Sequence, residues 1–163
     1  MVVRFFRNTL VVALVAVSPA TAASYREGAY ALSRYDDARA VRILGPLAAR
    51  GDARAQGALG FMYANGRGVP QNQVEAAIWY RRAADQGNPT AQYMLGLLYD
   101  KGMGVPQNDI EAYKWLNLAV AGANPGERFY WVRIRDAVAS KLTRLELADA
   151  QWLALEWRAV RER

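Results

Sequence analysis

Residues 55–72 read AQGALGFMYANGRGVPQN, and residues 91–108 read AQYMLGLLYDKGMGVPQN. The two stretches align without a gap at an offset of 36 residues, and the register continues through Glu75/Glu111, Ala76/Ala112, Trp79/Trp115, Ala83/Ala119, Asn88/Asn124 and Pro89/Pro125. A fixed period of this size is the mark of a stacked array, in which one supersecondary unit cannot bury its apolar face alone and its neighbour covers it.

Each unit reads as two helices. In the first, Leu59, Gly60 and Tyr63 recur as Leu95, Gly96 and Tyr99 at helical spacing. A glycine inside a helix costs about 1 kcal/mol relative to alanine, so Gly60 and Gly96 predict a close approach by a neighbouring helix. Gly66 and Gly102 predict a left-handed cap, because glycine alone enters that region without a Cβ clash. Gly68 and Gly104 allow a second unusual turn, Val69 and Val105 fold back onto the helix end, and Pro70 and Pro106 prevent continuation. Asn72 and Asn108 predict the start of the second helix, each with a Glu three residues on, as in a capping box. Ala76, Trp79, Tyr80 and Ala83, and then Ala112, Trp115, Leu116 and Ala119, follow the i, i+3, i+4, i+7 pattern of an amphipathic helix. Asn88-Pro89 and Asn124-Pro125 open the following helices, with Asn as cap and Pro at the first helical position.

The flanks read as degenerate units. Helices are expected over 24–33 and 37–50, with Pro46 bending or shortening the latter, and Arg34-Tyr35-Asp36 replaces the Gly-x-Gly loop. Downstream, a helix runs from Pro125 to about Ser140, and Thr143 with Glu146 caps a final long helix. The expected organisation is a secretory signal at 1–22, an N-terminal capping pair at 23–54, repeats at 55–90 and 91–126, and C-terminal capping helices at 127–163. The expected fold is an all-α solenoid, a right-handed stack of helix pairs. It is put at about six helices after signal removal.

The 163 residues suffice for one domain. Arg4 and Arg7 precede the apolar run 10–17, and Ser18, Pro19 and Ala20-Thr21-Ala22 follow it, which is the order of a secretory signal. The apolar run is shorter than the roughly 20 residues that span a bilayer. Cleavage is expected after Ala22 or at the next bond, giving a periplasmic or secreted protein that touches the membrane only through this segment. An uncleaved anchor is the alternative. Without Arg4 and Arg7 the chain keeps 19 basic and 15 acidic side chains, a mild excess that favours acidic partners without naming one. Runs of Lys and Arg suited to nucleic acid are absent. There is no cysteine and no histidine, which removes thiol nucleophiles, Ser-His-Asp triads, imidazole acid/base chemistry and His/Cys zinc sites. No catalytic residue, cofactor or metal is expected, and the chain reads as a non-enzyme.

The pattern Ala-x-x-x-Leu-Gly-x-x-Tyr-x-x-Gly-x-Gly-Val, followed by Ala-x-x-Trp-Tyr/Leu-x-x-Ala and a later Gly, resembles the Sel-like repeat (SLR) family, a cousin of the tetratricopeptide repeat with a longer loop between its helices. The resemblance covers Ala55 to about Asn124 closely. It implies an adaptor or scaffold; many bacterial members are exported and act in signalling, envelope assembly, exopolysaccharide control or host contact. A cysteine-rich branch linked to β-lactam binding is no guide here, because both cysteine and a Ser-x-x-Lys motif are missing.

By that resemblance, the first helix of each pair lines a concave groove. The inward positions are Arg54, Gly57, Phe61, Ala64 and Asn65, then Thr90, Tyr93, Leu97, Asp100 and Lys101, with Gln56 and Gln92 beside them. Tyr93 is the expected aromatic anchor for a protein or peptide partner. A glycan- or cell-wall-binding module is the other reading. Trp79, Trp115, Tyr63 and Tyr99 read as core, Arg81, Arg82 and Glu75 as solvated face, and Asp36-Asp37 as helix capping. The last helix carries one apolar stripe of Leu145, Ala148, Trp152, Leu155 and Ala159. A second stripe, Leu153, Trp157 and Val160, leaves two readings open, a wide buried face of a capping helix or a surface for a partner or a second copy.

Overall fold

The computed structural model describes residues 19–161, with side chains for residues 24–158. Most of the expected signal segment lies outside these bounds. Helices α1 (Pro19–Ser33), α2 (Asp37–Ala49), α3 (Ala53–Asn65), α4 (Gln73–Asp85), α5 (Pro89–Lys101), α6 (Asp109–Gly122), α7 (Pro125–Ala139) and α8 (Arg144–Arg161) follow one another. The chain is an all-α repeat solenoid. The described residues hold eight helices rather than about six: the helices read over 24–50 and after Pro125 add two at each flank to the four of the repeats. Successive helices pack on one another from α1 to α6, whereas α7 and α8 both lie on α6 and pair little with each other.

Local chemistry accounts for the boundaries. The side chains of Asp52, Asn72, Asn88, Asn108 and Asn124 each accept a backbone N–H in the first turn of their helix. Gly66 and Gly102 end α3 and α5 at φ 65° and 66°, and Gly68 and Gly104 take φ 69° and 72°. A Cβ on Gly104 would stand 2.1 Å from the carbonyl oxygen of Gln73, so this loop seats directly on the start of α4. The capping boxes are only half made at the repeats. The backbone N–H of Asn72 and of Asn108 donates across the loop to the Tyr63 and Tyr99 carbonyls, at 2.9 and 3.0 Å. Glu111 instead accepts the Trp115 indole N–H at 2.9 Å. The Thr143–Glu146 box closes in both directions.

Packing follows the repeat register. A Cβ on Gly60 would lie 2.8 Å from the Tyr80 ring, and one on Gly96 would lie 2.7 Å from Leu116, so both glycines admit the partner helix at equivalent places. Gln56 and Gln92 are buried, and their Nε2 groups donate to the Ala48 and Ala84 carbonyls at 3.1 and 3.2 Å. A polar staple therefore recurs at each junction, where the sequence suggested a position beside the groove. Trp115 is fully buried, whereas Trp79 is half-buried under the Arg82 guanidinium.

Asp36 caps α2 as expected, its side chain accepting the Arg39 N–H, and Asp37 in the first turn also pairs with Arg67 from the α3–α4 loop. Two expectations need correction. Pro46 does not shorten α2, which continues to Ala49; the ring is exposed and the terminal N–H of Arg50 bonds the Pro46 carbonyl. Arg81 is not solvated face; it donates to the Tyr99 hydroxyl and lies over the Trp115 ring. In the short α1–α2 connection the left-handed place is taken by Tyr35 at φ 60°, with Arg67 stacked on its ring at 4.5 Å.

Candidate functional site

The inner helices α1, α3 and α5 enclose a cavity of about 280 Å³. Leu32, Ala58, Phe61 and Met94 supply apolar wall, and Tyr25, Arg54, Asn88 and Thr90 supply polar groups at its edge. The cavity exists because Gly57 faces it. A Cβ placed there would meet only Asn88 Nδ2, at 4.0 Å. Tyr80 reaches the same cavity from α4, and its hydroxyl is buried without a hydrogen-bond partner.

Arg54 is the charged group at this site. Its Nη2 lies 2.9 Å from Asp52 Oδ2, and its guanidinium stands 4.5 Å from the centre of the Tyr25 ring. Asp52 also caps α3. Burial by itself would raise the Asp52 carboxyl, but the Arg54 guanidinium and the helix N–H groups outweigh it and hold it below the ordinary value. Burial moves the Tyr25 phenol upward, against the opposing effect of Arg54. The guanidinium is thus placed between Asp52 and the Tyr25 ring, and a planar fork so placed loses less rotamer freedom when it binds.

The rest of the expected groove divides at α5. Arg54, Phe61 and Thr90 share the cavity with Gly57. Asn65 is exposed at the end of α3, where its side chain donates to the Phe61 carbonyl. Tyr93 is not an exposed anchor. It is 9% exposed and stacks on Trp131 of α7, with ring centres 4.8 Å apart and planes 8° apart. Burial, and then the neighbouring Tyr130, push its phenol up to about 12. Leu97 packs into the same cluster. Asp100 is 6% exposed and is held by Lys101, at 2.8 Å, and by Lys141 from the α7–α8 turn. Lys101 remains exposed. The C-terminal half of the groove is therefore filled by the chain's own end. Sequence reasoning missed Tyr25 and Leu32 as cavity residues; they stand seven apart on one face of α1, a spacing that carried the signal.

In the final helix the second stripe, where its side chains are described, faces inward rather than forming an interface. Trp157 packs inward, edge-on to Trp115 with ring centres 6.0 Å apart, and Leu153 is half-buried. Val160 lies outside the residues with described side chains, as does Ala159. The outward row is Leu145, Ala148, Trp152 and Leu155 of the first stripe. The cause is the placement of α8 on α6, where Ala150 and Ala154 are small enough for close helix contact.

The Sel1 repeat pattern matches residues 53–88 and 89–124. The crystal structure of a Sel1 repeat protein from Oxalobacter formigenes is 37% identical, with a TM-score of 0.60, covering 69% of this chain and 88% of that one. The chain belongs to the Sel1 repeat family. A protective antigen of uropathogenic Escherichia coli strains that displays an SLR fold is also similar, at 31% identity and a TM-score of 0.76 over 84% of this chain. This Sel1 repeat chain spans 29% of that antigen's length. No curated protein matches the sequence. Sel1 repeat proteins are in general protein–protein interaction modules and typically non-catalytic scaffolds.

Proposed function

We propose that this Sel1 repeat protein is an exported adaptor of the bacterial cell envelope that anchors one side chain of a protein or peptide partner in the α1–α3–α5 cavity. The observation that carries the reading is the cavity itself. It is lined by apolar side chains and by the paired guanidinium of Arg54, with open space beside Gly57. Its volume of about 280 Å³ lies just below the roughly 300–1,000 Å³ range of small-molecule pockets, which suits an anchor from a longer ligand. A mixed apolar and polar lining is the composition of an interface core and its edge. The export half of the reading rests on the order of charged, apolar and small residues in 1–22.

The test is in-cell photo-crosslinking from position Phe61, with the exposed position Arg42 on α2 as control. A discrete protein adduct at Phe61 alone, lost with Arg54→Ala, is the expected result. Equal adducts at both positions, or none at Phe61, overturn the groove assignment; recovery on isolated cell-wall polymer without a protein adduct favours a glycan ligand. N-terminal sequencing of the fractionated protein tests export, with a start at Ala23 or Ser24 expected and a start at Met1 counting against cleavage.

A further inference from the structure

We propose that the outer face of α8 is a self-association surface, on which a second copy of the chain packs its own α8 in parallel. Leu145, Trp152 and Leu155 are 80%, 59% and 63% exposed, and Ala148 is exposed between them. Large apolar side chains in one continuous row on a soluble surface mark an interaction site. The steps of three, four and three residues match the 3.5-residue seam of a two-stranded coiled coil.

Two observations select a second copy as the occupant. The first is charge. Asp149 and Glu156 border the row on one edge, and Arg144, Gln151 and Arg158 border it on the other, all of them exposed. These are the flanking positions whose charges set partner and orientation in paired helices. When two copies pack in parallel, Arg144 of each meets Asp149 of the other as an ion pair and Gln151 meets Glu156 as a neutral amide beside a carboxylate, while Arg158 falls in register with Arg163. Antiparallel packing would set acid against acid and arginine against arginine. Along residues 144–156 the charges thus favour the parallel orientation over the antiparallel one.

The second observation is geometry. The face of α8 used within the domain is Leu147, Ala150, Ala154 and Trp157, packed against α6 and the core. At 3.6 residues per turn this row lies on the opposite side of the helix from the exposed one. The body of each domain therefore points away from the seam, and two copies approach without collision about a two-fold axis along α8, the isologous arrangement common in homodimers. The helix is already held by its own domain, so association need not supply the cost of forming it. This surface is separate from the α1–α3–α5 cavity and does not depend on the function proposed for it.

Sedimentation equilibrium of the purified chain tests the idea. The mass is expected to rise from one chain to two with concentration, and Leu155→Glu to raise the dissociation constant at least about tenfold. An unchanged circular dichroism spectrum for that variant, expected because the side chain is exposed, assigns the loss to the seam. A wild-type mass that stays at one chain throughout, or association unaffected by Leu155→Glu, overturns the proposal. Because the chain has no cysteine, Ala148→Cys and Leu155→Cys made separately report orientation. In-register parallel packing sets each against its own copy, so both variants are expected to oxidise to disulfide-linked dimers. Cross-linking by one alone, or by neither, rejects the parallel arrangement.

Discussion

Gly57 and Tyr93 occupy the same position in the two repeats, one period apart. At the first, the missing side chain leaves a cavity that α1 closes only partly. At the second, the phenol ring lies on Trp131 and the space is full. The neighbouring pairs follow suit. Phe61 borders the open cavity and is 37% exposed, whereas Leu97 is packed into a core cluster. Ala64 carries no charge, whereas Asp100 is buried and tied to Lys141. The helices, caps and loop glycines of the two repeats are nearly superposable in chemistry, yet one inner face is open and the other shut. A repeat frame therefore sets where helices run, and the few inward positions between frame residues set whether a surface is available.

Breaking the closed half is expected to have the largest effect. Trp131 is 5% exposed, so Trp131→Ala removes a buried indole and the stacking partner of Tyr93. A loss of about 3 kcal/mol or more is expected in urea unfolding; a loss below about 1 kcal/mol would mean that α7 does not seal this face.

Asp100→Asn removes the buried charge that holds Lys141. Lys141 remains partly solvated and 40% exposed, so the expected loss is only about 1–2 kcal/mol at neutral pH. Burial opposes ionisation of Asp100, but Lys101 and Lys141 outweigh it and lower its pKa below the ordinary 3.8. A carboxylate depressed on folding contributes stability above its unfolded pKa and loses that contribution as pH falls through the folded value. The wild-type midpoint should therefore drop below about pH 4 more steeply than that of Asp100→Asn. Parallel acid profiles would show that this pair does not hold the C-terminal end.

At the open half the same kinds of change should separate stability from binding. Gly57→Tyr copies the second repeat into the first. Its midpoint is expected to stay within about 1 kcal/mol of wild type, since a helix-interior glycine is itself unfavourable by about that much, while the Phe61 adduct disappears. An adduct that survives Gly57→Tyr would place the partner elsewhere. Arg54→Ala should have the smallest structural effect, under about 1 kcal/mol, because it loses one partly exposed ion pair and one cation–π contact. Its effect on capture at Phe61 should be far larger than on the unfolding midpoint.

Much of this architecture was legible in the residues alone. The 36-residue register, the Asn caps, the left-handed glycines and the close-approach glycines Gly60 and Gly96 all act through local backbone geometry or contacts within one period, so their signals lie close together in the chain. The open cavity was half legible: Arg54, Phe61 and Thr90 were placed by the frame, and Tyr25 and Leu32 were not, because their partners lie a full unit away. The fate of Tyr93, Asp100 and Trp157 was decided only in three dimensions. Each is chemically able to face solvent or a neighbour, and what settled it was the seating of α7 and α8 on α6, where Trp131, Lys141 and the small residues Ala150 and Ala154 meet side chains from α5 and α6. The sequence by itself determined the helices, their caps and their repeat. Tertiary packing decided which inward face stayed open and which side of α8 turned outward, because those choices are free-energy differences between alternative burials of the same apolar residues rather than properties of any one stretch of chain.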